Sequence, residues 1–134
     1  MKKSFIIFIT LTLLTFTSCY AKQNSEAKMT YKSVSMEEGL KLMQNDKDFI
    51  LLDVRSLEEY SAGHIPNALL LTNETFTKAD AEKLISNKDT TIYVYCRSGR
   101  RSKQASEKLV NFGYKNVIEI GGILDYKGEI EKAE

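Results

Sequence analysis

Residues 96–101 place one cysteine beside three arginines, in the order Cys-Arg-Ser-Gly-Arg-Arg. A β-branched and aromatic run at 91–95 comes directly before them and predicts a strand, and a helical pattern begins near Ser102. A cysteine between a strand end and a helix N-terminus faces backbone N–H groups and the positive end of the helix dipole. Because these groups and the arginines stabilise a thiolate, the pattern predicts a reactive thiol at Cys96. An inert buried thiol is the alternative.

The residues after the cysteine are the candidate groups for binding an anion. Gly99 tolerates positive φ, so it allows the loop to turn its N–H groups inward. We expect Arg97 and Arg101 to bind an anionic substrate and to stabilise the thiolate. Arg100 is a third candidate, with a solvent-facing side chain as the alternative. For Ser98, a hydrogen bond to bound sulfur and a purely structural place in the turn are equally open.

The composition indicates one globular domain with an additional segment. The chain has 134 residues, of which 43% are hydrophobic and 28% charged, which is enough to bury one core. Basic and acidic side chains are mixed and nearly cancel to a formal net charge of +1, which argues against a nucleic-acid partner. One histidine and two cysteines are too few for a protein metal site, and there is no Gly-x-Gly-x-x-Gly or Walker A pattern. We therefore expect no metal and no cofactor.

The N-terminus has the pattern of an export signal. Two lysines follow Met1, an apolar stretch covers residues 5–16, and small residues precede Cys19. These features are typical of a secretory signal peptide, and the apolar stretch is shorter than the roughly 20 residues of a membrane span. The segment also resembles a bacterial lipobox, although Phe16 stands where that signal usually has an aliphatic residue. An uncleaved membrane anchor is the alternative.

These signals predict a lipid on Cys19. Residues 1–18 are expected to be the signal peptide, and residues 19–30 the lipid-bearing cysteine and a flexible polar tether. The mature protein is then expected on the periplasmic side of a bacterial envelope, held to the membrane by its N-terminal lipid. Cys96 becomes the one free thiol, which excludes an intrachain disulfide and a two-cysteine redox mechanism. Cleavage without lipidation is the alternative.

Strand and helix patterns alternate through the rest of the chain. Ser35 and Ser56 each stand three residues before a glutamate, which is the pattern of a capping box at a helix start. The continuous apolar run at 49–54 is typical of a strand buried on both faces of a parallel sheet. The order predicts an α/β sandwich with a mostly parallel sheet and helices on both faces. The predicted strands lie at 31–34, 49–54, 68–71, 91–95 and 116–120.

Five short motifs follow one another through this predicted domain. Asp-Val-Arg at 53–55 and Gly-His-Ile-Pro-Asn-Ala at 63–68 come first. The cysteine loop and the next serine occupy 96–102, followed by Asn-Phe-Gly-Tyr-Lys-Asn-Val at 111–117 and Gly-Gly-Ile at 121–123. In this order and spacing the motifs resemble the entry half, the active-site loop and the closing half of rhodanese domains.

The resemblance extends from about residue 34 to residue 127, and it implies the three-layer rhodanese-like sandwich with a mostly parallel five-stranded sheet. We expect the rhodanese-like domain at 31–128 and a charged, frayed tail at 129–134. Tyr126 departs from the family, which commonly has tryptophan after the paired glycines. Tyrosine fills much of the same volume, so the departure concerns a pocket wall or a core contact more than the fold.

Rhodaneses are sulfurtransferases, and the resemblance implies that activity here. Cys96 is expected to take a sulfane sulfur from an anionic, thiosulfate-like donor, carry it as a persulfide, and pass it to cyanide or a thiol. A protein is a further candidate acceptor. The resemblance also implies that Arg55 lies near the active site and binds substrate, with a structural pair to Asp53 as the alternative. The second functional hypothesis is a non-turnover persulfide carrier or sensor that acts through a protein partner.

The length of the cysteine loop separates sulfur transfer from phosphate chemistry. Cysteine phosphatases use Cys-x5-Arg, but here Ser102 holds the sixth place after Cys96, and Arg101 holds the fifth. The shorter loop makes a tighter cradle, which argues against an arsenate or phosphate-ester enzyme. His64 lies in a Gly-His-Ile-Pro turn, where we expect it to bond nearby backbone rather than to act as a general base.

Overall fold

Short strands and helices alternate along the chain in the computed structural model, which describes residue 28 and residues 30–133. The strands are β1 (Lys32–Ser33), β2 (Phe49–Asp53), β3 (Leu69–Leu70), β4 (Thr91–Cys96) and β5 (Asn116–Gly122). The helices are α1 (Met36–Asn45), α2 (Leu57–Ala62), α3 (Lys78–Leu84) and α4 (Arg100–Asn111), and a single 3-10 turn follows at Ile123–Asp125.

Within the described residues, five strands form one sheet in the order β1-β5-β4-β2-β3, and every neighbouring pair is parallel. The expected α/β sandwich with a five-stranded sheet is therefore confirmed. Parallel strands bring their carboxyl ends to the same edge, which is where α/β sheets place their binding sites. β4 is the central strand and ends at Cys96, so the cysteine lies in the middle of that edge.

The side chains of β4 alternate between two cores, one on each face of the sheet. Ile92, Val94 and Cys96 pack with side chains of α3 and α4, whereas Tyr93 and Tyr95 pack on the α1 side. All five side chains are buried, and each aliphatic one contributes about 1.5–3 kcal/mol by its removal from water. The same alternation points the sulfur of Cys96 towards α4.

Serine caps start two of the helices as expected. The Ser56 hydroxyl accepts a hydrogen bond from the Glu59 N–H at 3.2 Å, and the Glu59 carboxylate accepts one from the Ser56 N–H at 3.0 Å. This is a complete capping box at the N-terminus of α2. At α1, the Ser35 hydroxyl accepts from the Glu38 N–H at 3.2 Å, which is the serine half of the same motif.

Two element boundaries around the cysteine differ from those expected. α4 begins at Arg100 rather than near Ser102, because Gly99 adopts φ 110° and takes the N-cap position itself. Arg100 and Arg101 therefore belong to the first helical turn and not to the loop. β5 continues beyond residue 120, since Gly122 still pairs with Cys96 in the sheet.

The charged tail is not frayed where it passes His64. The backbone N–H of His64 donates to the carbonyl of Glu131 at 2.8 Å, and the N–H of Glu131 donates back at 2.9 Å. This isolated antiparallel bridge fixes the tail against the turn that follows α2. The expectation of a frayed tail was therefore wrong at Glu131.

The predicted signal peptide, Cys19 and most of the predicted tether lie outside the described residues. Among the helices of the described part, none is long and apolar enough to cross a membrane.

Candidate active site

The sulfur of Cys96 lies inside a tight loop at the carboxyl end of β4. The residue is only 1% exposed. The backbone N–H of Gly99 donates a hydrogen bond to Sγ over 3.0 Å. Three residues, 97–99, separate the strand from α4. The loop therefore closes around the sulfur and presents N–H donors to it, as predicted for a thiolate site.

Two glycines shape this loop for different reasons. Gly99 has a φ of 110°, a left-handed backbone that side-chain-bearing residues rarely adopt. Gly122, at the end of β5, has ordinary backbone angles, but an added Cβ would collide with the carbonyl of Arg97. Its missing side chain lets the sheet edge pack directly against the loop. The close packing also explains why Cys96 is so deeply buried.

Ser102 lies beneath the sulfur and is fully buried. Its Oγ is 3.5 Å from Cys96 Sγ. The same oxygen is 2.8 Å from the carbonyl of Gly99, 3.3 Å from that of Gly121, and 2.6 Å from Oε1 of Glu119. Ser102 thus occupies the place that an arginine holds in the longer phosphatase loop, and it connects the cysteine to a buried carboxyl group.

The surroundings of the sulfur favour its ionised form. Burial by itself raises the pKa of the Cys96 thiol, since the thiolate loses contact with water. Hydrogen bonds from the Ser102 hydroxyl and from the N–H groups of Ser102, Gly99 and Ser98 act in the opposite direction. These hydrogen bonds outweigh burial, so the pKa of Cys96 lies below its ordinary value. A lowered pKa provides the nucleophile that attack on sulfur requires.

Arg101 is held by a carboxylate of the neighbouring helix. Its two terminal nitrogens bind both oxygens of Glu59 at 2.7 and 2.8 Å, in the bidentate geometry typical of arginine. The hydrogen bonds from Arg101 lower the pKa of Glu59 to about 2. The charge of Arg101 also acts on Cys96. Its guanidinium fork is thus committed to Glu59, and substrate binding by Arg101 stays a prediction.

The other loop residues lie at the surface. Arg97, Ser98 and Arg100 are all exposed around the entrance to the loop. The carbonyl of Arg97 accepts a hydrogen bond from the N–H of Leu124 at 3.3 Å, which ties the loop to the 3-10 turn. The side chains of Arg97 and Arg100 are therefore placed where an incoming anion would meet them, and their predicted contacts with substrate stay predictions.

Arg55 forms the structural pair that was the alternative to substrate binding. Its guanidinium donates to Asp53 at 2.6–3.1 Å and to the carbonyl of Gly63 at 2.7 Å. Asp53 also accepts from the hydroxyl of Tyr95 at 2.8 Å and is fully buried. Arg55 lines a shallow surface depression together with Arg97, so it borders the loop. Its hydrogen bonds nevertheless bind the protein itself.

His64 bonds to nearby backbone as expected. Its Nδ1 lies 2.9 Å from the carbonyl of Tyr60, and its ring stacks on that of Tyr60 at 3.8 Å between centroids. Nε2 is 3.6 Å from the carboxylate of Glu131. These contacts join α2 to the tail, and both ring nitrogens face groups other than the sulfur of Cys96.

Sequence reasoning missed two carboxyl groups, Glu59 and Glu119. Glu119 has one usable signal, because it interrupts the apolar run of β5 and a charge inside a strand buried on both faces needs an explanation. Glu59 was assigned to a helix cap, which is correct, but its partner Arg101 is distant in the chain. That pairing follows only from the packing of α2 beside α4.

Comparisons with known proteins agree with this geometry. The family model "Rhodanese-like domain" matches residues 36–129. Two solved structures that match are "rhodanese with anions from E. coli", 32% identical with a TM-score of 0.58, and a rhodanese-like domain protein from Staphylococcus aureus, 29% identical with a TM-score of 0.63. They cover 63% and 77% of this chain, and 98% and 99% of their own.

Curated relatives share the domain but are longer proteins. The adenylyltransferase and sulfurtransferase UBA4 of Candida albicans is 44% identical over 97 residues, which are 69% of this chain and 22% of that protein. The tRNA uridine(34) hydroxylase of Photorhabdus laumondii is 37% identical over 66% of this chain and 26% of its own length. The putative sulfur carrier protein YrkF of Bacillus subtilis is 32% identical over 82% of this chain and 58% of its own. The chain thus spans about a quarter of the first two relatives.

Proposed function

Because the chain belongs to the family of rhodanese-like domains, we propose that it is a sulfurtransferase that carries sulfur as a persulfide on Cys96. The observation that carries the proposal is the hydrogen bond of 3.0 Å from the Gly99 N–H to Cys96 Sγ, at the N-terminus of α4. A thiolate at this position is stabilised, and an added outer sulfur would meet the same donors.

The reaction consists of two displacements at sulfur. The Cys96 thiolate attacks the outer sulfur of thiosulfate, a new sulfur–sulfur bond forms, and sulfite leaves with the electron pair of the broken bond. The product is an anionic persulfide. Cyanide then attacks the outer sulfur and leaves as thiocyanate, which regenerates the thiolate. Charge balances in both steps, and neither step needs a metal or an external oxidant.

The N-terminus of α4 is suited to an anionic donor. The helix has no side-chain cap, and its first turn contains Arg100 and Arg101 but no acidic residue. Cations are unfavourable at the positive end of a helix dipole, so an anion bound there would stabilise this helix start. Exposed Arg97 adds charge at the entrance. A doubly charged donor such as thiosulfate fits these features.

The loop favours sulfur over phosphate as the transferred group. The position of a phosphatase arginine is filled by Ser102, which is fully buried and in contact with the sulfur. Arg101, one place earlier, binds Glu59 instead of pointing at the loop centre. A phosphoryl group would therefore lack its principal guanidinium partner.

A persulfide carrier with a protein acceptor is the second candidate function, and exposed apolar side chains near the loop favour it. Leu124 and Ile130, which line a depression with Arg97, are 62% and 46% exposed. Such side chains suit contact with another protein better than contact with a small anion. The relative named as a putative sulfur carrier is consistent with this function.

One experiment separates the two candidates. The purified protein is incubated with thiosulfate, its mass is measured, and thiocyanate is then assayed after addition of cyanide. A sulfurtransferase gains one sulfur on Cys96 and turns over, whereas a carrier gains the sulfur but turns over slowly until its partner is added. Cys96→Ser should abolish both the added mass and the thiocyanate. Turnover by Cys96→Ser at the parent rate would refute the proposal.

We also propose that the protein is exported and tethered by lipid on Cys19. Metabolic labelling with palmitate should label the parent protein in bacteria but not Cys19→Ser, and the variant should leave the membrane fraction. Equal labelling of the two proteins would refute lipidation at this position.

A further inference from the structure

Glu119 is a buried carboxyl group that takes no part in the two displacements at sulfur. It is 1% exposed, and it lies on β5 with its side chain on the same face of the sheet as Cys96. Its Oε2 accepts from the hydroxyl of Ser33 at 2.5 Å, and its Oε1 accepts from the N–H of Gly121 at 2.8 Å. Within the described residues, no lysine, arginine or histidine forms an ion pair with it.

Ser102 connects this carboxyl group to the sulfur. Its single hydroxyl hydrogen has several acceptors within reach, and the shortest contact is the 2.6 Å to Oε1 of Glu119. When the hydrogen points at Glu119, a lone pair of Oγ faces the thiol of Cys96 at 3.5 Å and accepts its S–H. The atoms Sγ, Oγ and Oε1 then form one continuous path for a proton.

We propose that Glu119 takes the thiol proton of Cys96 through Ser102. This assignment rests on the proposed sulfur transfer, for which it supplies the thiolate. The S–H bond breaks as its proton passes to Ser102 Oγ, while the hydrogen of Ser102 passes to Oε1 of Glu119. The electron pair stays on sulfur, and the net charge of the pair remains −1 throughout. Glu119 acts through Ser102 and does not contact the sulfur donor. It is therefore a positioning residue, which sets the place of the thiol proton, and not a catalytic residue.

The transfer moves a negative charge from a poor site to a better one. At Glu119 the charge is buried among neutral donors only, which is costly. At Cys96 the charge faces the N–H of Gly99 and the N-terminus of α4, and the positive charge of Arg101 also stabilises it. The persulfide anion occupies the same favourable place, so the proton can stay on Glu119 while sulfur is bound.

Other ionisable groups near the pair are held by their own partners or lie at the surface. On α2, Glu59 binds Arg101 of α4. On the neighbouring strand β2, Asp53 binds Arg55, and the hydroxyl of Tyr95 on β4 donates to Asp53. Arg97 and Arg100 are exposed. Among the described residues, Ser102 is the one whose side chain hydrogen-bonds to both Cys96 and Glu119.

The test is a titration of the full chain in which Cys19→Ser leaves Cys96 as the one thiol. Carbon NMR of the labelled β-carbon of cysteine and the labelled carboxyl carbon of glutamate follows both groups in one sample. Glu119→Gln keeps the side-chain volume and the oxygen that accepts from Ser102 and Gly121, but its amide cannot take up the thiol proton. Ser33→Ala is the matched control, because it removes a hydroxyl from the same carboxyl group on the side away from the sulfur.

Two groups that share one proton titrate in steps that belong to the pair. We expect the carbons of Cys96 and Glu119 to report two shared steps in the parent, and we expect Ser33→Ala to keep both. Glu119→Gln should lose one step and leave Cys96 with a single transition. A single Cys96 transition of the same shape in the parent and in Glu119→Gln would overturn the proposal. Loss of the shared steps in Ser33→Ala would also overturn it.

The titration uses no sulfur donor, so its result is independent of the proposed reaction. Shared steps in a protein that takes no sulfur from thiosulfate would support the proton assignment and refute the sulfurtransferase. Sulfur uptake on Cys96 in a protein without shared steps would support the sulfurtransferase and refute the part assigned to Glu119.

Discussion

The turn from β2 into α2 and the turn from β4 into α4 follow neighbouring parallel strands and lie at the same edge of the sheet. In the first turn, Ser56 and Glu59 bond to backbone N–H groups, and acidic residues occupy the start of the helix. In the second, Gly99 provides no side-chain cap, and Arg100 and Arg101 occupy the start of the helix. The start of α2 is electrostatically satisfied by its own side chains, whereas the start of α4 has room for an anion.

The same contrast holds for the arginines that follow the two strands. Arg55, after β2, has its charge matched by buried Asp53. Arg97, after β4, is exposed. Arg101, at the start of α4, forms its ion pair with Glu59 of α2. The paired charges therefore stabilise the turn between β2 and α2. Glu59 of α2 in turn holds Arg101 near the sulfur of Cys96. Substitutions in the turn between β2 and α2 should alter stability most, and substitutions in the turn between β4 and α4 should alter sulfur transfer most.

The largest loss of stability is expected from Asp53→Asn. The substitution leaves Arg55 buried without its counter-charge, which costs about 3–5 kcal/mol of unfolding free energy. Urea unfolding followed by circular dichroism measures the loss. Asp89→Asn is the matched control, since Asp89 pairs with Lys115 at the surface and such pairs contribute about 0–1 kcal/mol. Equal losses in the two variants would contradict the assignment of Asp53 to a structural pair.

Gly122→Ala tests how closely the loop must pack on the sheet. The new Cβ collides with the carbonyl of Arg97, so the loop shifts and unfolding free energy falls by about 1–3 kcal/mol. Sulfur transfer from thiosulfate should fall about 100-fold, because small displacements of reacting groups are costly.

Gly113→Ala provides the control for Gly122→Ala. Gly113 has a φ of 98° but nothing within 4 Å of an added Cβ. The variant should lose about 1 kcal/mol to backbone strain and retain the parent rate of thiocyanate formation. Full activity in Gly122→Ala would show that the loop tolerates displacement.

Glu59→Gln removes the ion pair with Arg101 that links α2 to α4. The folded-state pKa of Glu59 is lowered to about 2, so its ionisation stabilises the fold above the unfolded pKa of about 4.3. That stability, about 1–2 kcal/mol after allowance for solvent, is lost as the pH falls towards 2. In Glu59→Gln the term is absent at every pH. Unfolding free energies of the two proteins should therefore differ at pH 7 and converge near pH 2. A constant difference over that range would contradict the ion pair.

Local patterns were sufficient for the framework of this domain. The capping pair of Ser56 and Glu59 and the apolar runs of the strands predicted the order of elements, since each depends on residues close together in the chain. The position of Cys96 at a strand end followed from the same patterns. The start of α4 was placed too late, because Gly99, which has no side chain to cap a helix, takes the N-cap position with a left-handed backbone.

Contacts between distant residues escaped sequence reasoning. Arg101 was expected to face substrate, but its fork lies on Glu59, which reaches it only because α2 and α4 sit side by side. Glu119 meets Ser102 because β5 pairs with β4 in a particular register. Chain spacing carries no information about either contact, so both required the folded structure.

Arg100→Ala should have the smallest effect on stability. Whether the unfolding free energy rises or falls shows if the start of α4 differs from that of α2. Arg100 is exposed in the first turn of α4, where the helix dipole disfavours a cation, so its removal should raise unfolding free energy by about 0.3–1 kcal/mol. The same change should raise the KM for thiosulfate several-fold with little change in kcat. Lys103→Ala, which removes another exposed cation of α4 one turn further on, should leave the KM unaltered. A stability loss with unchanged KM would mean that Arg100 supports the fold, and the start of α4 would then resemble that of α2.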